Sequence, residues 1–177
     1  MSGAISAIPK MAFREMHIAP LAEGDIAALI ELAGLIWRRH YPGIISRQQI
    51  DYMLAQRYTP ELIRAQMQSD KAWWDQARVE GSMIGYAQYE LHGRSMKLDK
   101  LYVHPDFQRR GYGARMLAHI EDQARRRGAS AVRLNVNKHN LKAIAAYRKS
   151  AYAVVETVVA DIGGGFVMDD FVMEKQL

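Results

Sequence analysis

Hydrophobic positions along the chain follow two different periods. Residues 26–36 and 113–124 carry apolar side chains at helical spacing, whereas residues 132–136 alternate between apolar and polar side chains as a strand does. Turn-forming residues separate these segments, and residues 80–82 lie between two runs that are predicted to form a hairpin. The predicted order is one strand, three helices, three strands, a helix, a strand, a helix and two strands, which is an α+β architecture with a mixed sheet.

The bounds of these elements are set by local signals. Ser46 and Gln49 have the spacing of a capping box. The Ser46 side chain is therefore expected to accept a backbone N–H, and the Gln49 side chain to reach back to the backbone N–H of Ser46. Thr59 and Pro60 are predicted as the N-cap and first residue of the next helix. Residues 1–10 are predicted to be a frayed terminus. The predicted strands are 13–18, 73–79, 83–91, 96–103, 132–136, 152–160 and 167–174, and the predicted helices are 26–40, 47–56, 60–69, 112–127 and 140–150.

A basic, glycine-containing loop joins a strand to a helix within residues 98–113. The strand is expected to end at His104, because the following proline restricts that residue to an extended backbone. Arg109 and Arg110 add charge just before the helix, whose first N–H groups lack internal partners. An anion such as a pyrophosphate would fit there, and a plain surface turn is the alternative. The loop lacks the Gly-Lys-Ser/Thr of a Walker loop and the third glycine of a dinucleotide fingerprint.

Composition narrows the classes of protein and site. The chain has 177 residues, 49% of them hydrophobic, which predicts a single domain over residues 1–177. The net charge of +5 suits an acidic ligand, but the arginines are too dispersed to favour nucleic acid. There is no cysteine and no paired-histidine motif, so we expect no disulfide and no metal site. No apolar run has the length of a membrane span, so the expected location is cytoplasmic, without a membrane partner.

The loop sequence carries a resemblance to a known family. Residues 108–114, Gln-Arg-Arg-Gly-Tyr-Gly-Ala, resemble the acyl-CoA pyrophosphate loop of the GNAT N-acetyltransferase superfamily. Residues 101–105 resemble the end of that family's fourth strand, and Asn140 and Tyr147 match its Asn-x6-Tyr helix. The resemblance implies a GNAT fold, in which a mostly antiparallel sheet of about seven strands is splayed between strands 4 and 5 and has helices on both faces.

The resemblance also implies site residues. The backbone of strand 4 and the basic loop would bind acetyl-CoA, and Tyr147 would be the general acid, since a phenol with a reference pKa near 10 is protonated at neutral pH. The family's glutamate base falls at or near Lys97, so Asp99, two residues on and of the same strand parity, is a possible base; Glu90 and an ordered-water relay are alternatives. The implied cofactor-binding residues are Leu101, Tyr102, Val103, Gln108, Arg109, Arg110, Gly111, Tyr112, Gly113, Ala114, Asn140 and Tyr147.

The implied activity is transfer of an acetyl group from acetyl-CoA to a primary amine by direct attack in a ternary complex. The expected acceptor is a small amine or polyamine, which Glu23, Asp169 and Asp170 could attract; a protein N-terminal or lysine amine is the alternative. Two other classes remain open: a non-catalytic acyl-CoA-binding regulatory module and a basic nucleic-acid-binding domain. A homodimer is possible by analogy with the family.

Overall fold

A seven-stranded sheet forms the centre of the fold in the computed structural model, which describes residues 15–177. The strand order is β1-β2-β3-β4-β5-β7-β6, and every neighbouring pair is antiparallel except β4 and β5, which are parallel. The predicted fold class is therefore confirmed. The strands are β1 Met16–Pro20, β2 Ala72–Val79, β3 Ser82–His92, β4 Ser95–Val103, β5 Ala131–Asn137, β6 Ala153–Gly163 and β7 Phe166–Gln176.

Helices cover both faces of this sheet. Helices α1 to α3 pack over one hydrophobic core, in which Leu29, Ile36 and Ile63 are fully buried. Helix α4 lies over a second core and contributes Met116 and Ile120 to it. The helices are α1 Ile26–His40, α2 Arg47–Arg57, α3 Pro60–Met67, α4 Tyr112–Arg126 and α5 Leu141–Lys149, with single 3-10 turns at Glu23–Asp25 and Pro105–Phe107.

Strands β4 and β5 separate halfway along their length. Their parallel pairing runs only from Ser95 and Ala131 to Leu98 and Leu134. Beyond that point β4 continues to Val103 and β5 to Asn137 without pairing to each other. The expected splay is present, and it opens an internal gap in the sheet between the two cores.

The predicted ends of the helices agree with the structure, but one cap differs. Ser46 Oγ accepts the backbone N–H of Gln49 at 3.1 Å, as expected. The predicted return bond of the capping box is wrong, because Gln49 Nε2 instead donates to the Val167 carbonyl at 2.9 Å and so joins α2 to β7. Thr59 caps α3 through the Leu62 N–H at 3.2 Å. The predicted frayed terminus at 1–10 and Phe13 of the first strand lie outside the described residues.

A β-bulge interrupts β4 at Asp99. Gln88 pairs with Lys100 and the next residue, Tyr89, pairs with Leu98, so Asp99 is an extra residue on β4. The regular alternation of side chains is broken there, and the adjacent Asp99 and Lys100 side chains meet at 2.6 Å. The bulge therefore gathers charge at the point where the sheet opens.

No helix within residues 15–177 is long and apolar enough to cross a membrane.

Candidate active site

The open half of β4 presents backbone groups to the gap. The His104 N–H donates to the Ile84 carbonyl on β3 at 2.7 Å. Since N–H directions alternate along an antiparallel pair, the Tyr102 N–H also faces β3, while those of Leu101 and Val103 face the gap. Of the three residues named from the sequence, Leu101 and Val103 are therefore the ones whose N–H groups are available to a ligand there.

The basic loop ends at an uncapped helix N-terminus. Gly111 is the N-cap of α4, has φ +79° and supplies no side-chain cap. Arg109 also has a positive φ, and its side chain and that of Arg110 are exposed. Gln108 Nε2 donates to the Val103 carbonyl at 2.9 Å and so ties the loop to the end of β4. Exposed guanidinium groups and the positive end of the helix dipole together suit a phosphate-bearing ligand.

The first turn of α4 packs against the end of β4 at the second glycine of the loop. A Cβ on Gly113 would lie 3.9 Å from Cγ2 of Val103, in ordinary contact, so the first turn of α4 lies directly against the end of β4. Tyr112 is buried at 2% exposure, whereas Ala114 is exposed. The side chain of Tyr112 therefore anchors the first turn of α4 in the core.

Helix α5 places the two predicted residues of the Asn-x6-Tyr pattern beside the gap. Asn140 is buried and caps the helix by accepting the Ala143 N–H at 3.4 Å. Tyr147 lines the cavity described next, and its hydroxyl makes no hydrogen bond to any residue of the described chain 15–177. Burial, and secondarily Tyr41, raises the pKa of Tyr147 above its usual value. Its hydroxyl is therefore protonated at neutral pH and able to donate.

A cavity of about 210 Å³ lies where β4 and β5 separate. Its walls come from α1, α2 and α5 and from the open parts of the strands, and they include the aromatic rings of Trp37, Tyr41, Tyr102 and Tyr147. A second, more open depression of about 420 Å³ lies between the residues that end α1 and those that begin α5, and it includes Gln108 of the basic loop. The residues that line this second depression include Asn140, at the start of the helix that carries Tyr147.

Hydrogen-bonded aromatic side chains lie at and behind one wall of this cavity, which Trp37, Tyr41 and Tyr102 line. The hydroxyls of Tyr41 and Tyr102 are 2.9 Å apart, and Trp37 Nε1 donates to the Tyr58 hydroxyl at 3.2 Å. The Tyr58 hydroxyl in turn lies 2.8 Å from that of Tyr86. Burial raises the pKa of Tyr58, Tyr86 and Tyr102, so these hydroxyls stay neutral. Sequence reasoning missed this network because its partners are 21 to 61 residues apart.

Asp99 lies in the cavity within a cluster of cations. Arg57 Nη2 and Lys100 Nζ each lie 2.6 Å from its Oδ2, and Lys97 Nζ lies 3.7 Å from its Oδ1. Burial by itself would raise the pKa of Asp99, but Lys100 and Arg57 outweigh it and hold the pKa well below the usual range. Such a carboxylate is a weak proton acceptor, so the structure lends no support to Asp99 as the base.

The other acids named from the sequence lie in different surroundings. Glu90 accepts from Gln88 Nε2 at 2.9 Å and borders a separate depression next to α3, outside the cavity. Glu23 pairs with Arg64 at 3.0 Å on the surface, and Asp169 pairs with Lys138. Of the three acids that could attract a cationic acceptor, only Asp170 lines the cavity. Across residues 15–177 no group of three His, Asp or Glu side chains could hold a metal ion.

Asp170 is buried in the cavity wall without a full set of partners. Its side chain belongs to a residue with 7% exposure, and its Oδ1 makes no hydrogen bond within the described residues. Burial raises the pKa of Asp170, although Asn135 and Arg57 act in the opposite direction. A buried carboxylate oxygen without a donor is costly, and because Asp170 lines the cavity, its charge would stabilise a cation bound there.

Comparisons with known proteins agree with this geometry. Residues 31–152 match the model of the Acetyltransferase (GNAT) family. The chain is 25% identical over 166 residues to the spermidine N(1)-acetyltransferase of Thermoplasma acidophilum, covering 91% of this chain and 97% of that one.

Two solved structures have the same fold. The PaiA N-acetyltransferase from Thermoplasma acidophilum, in complex with coenzyme A, is 25% identical with a TM-score of 0.78, over 92% of this chain and 99% of that one. A GCN5-related N-acetyltransferase from Rhodopseudomonas palustris is 21% identical with a TM-score of 0.80, over 94% and 99% of the two chains.

Proposed function

Because the chain belongs to the acetyltransferase (GNAT) family and is an acyl-CoA-dependent acetyltransferase, we propose that it transfers acetyl from acetyl-CoA to the primary amine of a small molecule. The amine attacks the thioester directly while both substrates are bound. The observation that carries this proposal is the gap between β4 and β5, where Leu101 and Tyr147 line one cavity and where Gln108 ties the basic loop to the end of β4.

The residues at the gap fit acetyl-CoA. The N–H groups of Leu101 and Val103 would bind the extended part of the molecule as a neighbouring strand would. The loop from Gln108 to Ala114 would hold its pyrophosphate through backbone N–H groups and the charges of Arg109 and Arg110. Buried Asn140 would fix the start of α5 beside it. Bound acetyl-CoA supplies the activated thioester; the chain supplies the position and the proton donor.

Tyr147 is proposed as the general acid. As the carbon–sulfur bond of the thioester breaks, its hydroxyl would donate a proton to the departing thiolate. Support comes from its place in the cavity wall, its unused hydroxyl and a pKa raised by burial. The incoming amine must lose a proton to form the amide, and because Asp99 is held by Arg57 and Lys100, a water relay suits this step better than Asp99 does.

The test is CoA release from acetyl-CoA by the purified protein. The acceptor panel contains spermidine, because a relative carries that substrate in its name, together with diamines, amino acids, aminoglycosides and lysine peptides. We expect release with one class of small amine. Release only with peptides would indicate a protein acceptor, and tight acetyl-CoA binding without any release would indicate a non-catalytic module; either result contradicts the proposal.

Tyr147→Phe tests the assigned acid. General acid catalysis contributes about 10²–10⁴-fold, so kcat should fall by at least about 100-fold while the Kd for acetyl-CoA stays unchanged. Tyr152→Phe is the matched control, because its ring lies 5.8 Å from that of Tyr147 but its hydroxyl donates to Glu121, outside the cavity. Equal turnover by both variants would remove Tyr147 from the mechanism. The homodimer and the cytoplasmic location stay predictions.

A further inference from the structure

The cavity is lined by more positively than negatively charged side chains. Arg57, Lys97 and Lys100 line it together with Asp99 and Asp170. The three cations all lie within 4 Å of the same carboxylate, Asp99. Against these three cations the cavity lining holds two carboxylates, Asp99 and Asp170, which leaves one positive charge in excess. Because charge in a partly buried site is poorly screened, that excess favours an anionic group on a ligand.

Arg57 has hydrogen-bonding capacity that the protein does not use. Its Nη2 donates to Asp99 at 2.6 Å, and its guanidinium makes no other hydrogen bond to the described part of the chain, residues 15–177. The side chain is 36% exposed and lines the cavity, so its remaining N–H donors are accessible to a ligand. The planar fork of a guanidinium matches a carboxylate in a two-bond arrangement.

Asp170 gives the same cavity a site of opposite charge. Its buried Oδ1 has no hydrogen-bond donor within residues 15–177, so its charge is incompletely compensated, and an ammonium group in the cavity would compensate it. Arg57 is close enough to influence the charge of Asp170 electrostatically, but the two side chains do not form an ion pair. The cavity therefore presents an unsatisfied carboxylate and an unsatisfied guanidinium to one ligand.

We infer that the acceptor is a zwitterion, a small molecule that bears both a primary amine, bound by Asp170, and a carboxylate, bound by Arg57. This inference rests on the proposed function and specifies its acceptor class. The cavity of about 210 Å³ also takes the thioester end of acetyl-CoA and is smaller than the about 300–1,000 Å³ of pockets for drug-sized ligands, so it favours a small acceptor. A polyamine would place additional cations against Arg57, Lys97 and Lys100, which disfavours it.

The test compares amines that differ only by a carboxylate. Lysine is assayed against cadaverine, ornithine against putrescine, and β-alanine against ethylamine, with acetyl-CoA saturating and spermidine as a further acceptor. The amino acid of a pair should have a kcat/KM at least about tenfold higher, the effect of one charge-assisted hydrogen bond. The difference should appear in the KM for the amine.

Substitutions connect the preference to the proposed residues. Arg57→Gln should bring the kcat/KM ratio within each pair toward one without raising the KM for acetyl-CoA. Arg57→Lys should retain part of the preference for the amino acid. Lys97→Gln removes a cation that is 48% exposed, and it should lower the ratio even if Arg57→Gln fails to fold. Arg38→Gln is the matched control, since Arg38 pairs with Asp51 on the surface at 3.1 Å and should leave the ratio unchanged.

The outcomes separate this inference from the proposed function. Faster acetylation of diamines or spermidine than of the amino acids would overturn the zwitterion while leaving the acetyltransferase intact. The same follows if the ratio is unchanged in folded Arg57→Gln and Lys97→Gln. An absence of CoA release with every amine would overturn the proposed function, and the inference with it.

Discussion

Replacing Asp99 by asparagine removes the carboxylate that Arg57 and Lys100 share, at nearly constant volume. Both cations lie 2.6 Å from Asp99 Oδ2. The Lys100 side chain is only 3% exposed, and its Nζ lies 5.1 Å from the centre of the Trp74 ring. After the substitution this ammonium group has the ring faces of Tyr58 and Trp74, and Glu90 is the remaining counter-charge, beyond ion-pair distance. Uncompensated burial of charge is the dominant effect.

The expected loss of stability follows from these exposures. Breaking a buried ion pair costs about 3–5 kcal/mol, and the lower value applies because Arg57 is partly accessible to water. About 3 kcal/mol corresponds to a fall in Tm of about 6–12 °C for a chain of this size. Asp51→Asn breaks a surface pair in which both side chains are more than half exposed, and should cost about 0–1 kcal/mol.

The measurement is urea unfolding of the wild-type protein, both single variants and the double variant Asp99→Asn/Lys100→Met at pH 7. The double variant removes the buried cation together with its partner, so it should recover part of the loss. If Asp99→Asn unfolds at the same urea concentration as Asp51→Asn, the ion cluster does not stabilise the fold. The reasoning would then also fail to explain why Asp99 is a poor base.

The same carboxylate predicts a dependence of stability on pH. Although burial opposes it, Lys100 and Arg57 lower the pKa of Asp99 in the folded protein. A lowered pKa contributes stability that is fully present above the unfolded value, near 3.9, and is lost as the pH falls toward the folded pKa. The stability difference between wild type and Asp99→Asn should therefore be constant from pH 5 to 7 and shrink below about pH 4. A difference that grew on acidification would contradict this sign.

Two substitutions of glycine test the cofactor loop and the packing of β3 against β4. Gly111→Glu places a carboxylate at the basic helix N-terminus and should raise the Kd for acetyl-CoA at least about tenfold; Gly81→Glu, at φ +80° in a hairpin turn, carries the same backbone strain and should not. Gly85→Ala would put a Cβ 2.7 Å from the Tyr102 carbonyl, so β3 and β4 must shift at a cost of about 1–3 kcal/mol, read from thermal unfolding. Gly24→Ala meets nothing within 4 Å and should be neutral, and equal melting of the two alanine variants would show that the strands absorb the contact freely.

The fold could be predicted from the sequence wherever local signals set it. The caps at Ser46 and Thr59 and the hairpin turn at Gly81 depend on residues that are neighbours in the chain, and the structure has them where they were expected. The splay between β4 and β5 came from the family resemblance carried by the basic loop. Periodicity alone would not have placed β7 between β5 and β6.

The charged side chains of the cavity could not be predicted, because they are brought together by contacts between residues far apart in the sequence. Arg57 meets Asp99 across 42 residues of sequence, and no local pattern links a residue at the end of α2 to one in β4. The bulge at Asp99 also breaks the alternation from which side-chain directions were inferred, so that Lys100 turns toward its neighbour. Asp170 was named as one of three acids, and only the fold distinguishes it from Asp169 and Glu23 by burial.

The separation of β4 and β5 gives the sheet two further edges, and these edges lie in its interior. Exposed edges invite pairing with other polypeptides, and proteins usually block them with charges, prolines or short strands. Here the side chains of Trp37 and Tyr41 on one side and of Tyr147 on the other enclose the gap. The backbone of Leu101 therefore lines an enclosed cavity and is not part of an outer edge of the sheet. The protein thereby keeps reactive strand edges for its own substrate without the aggregation risk that an outer edge would bring.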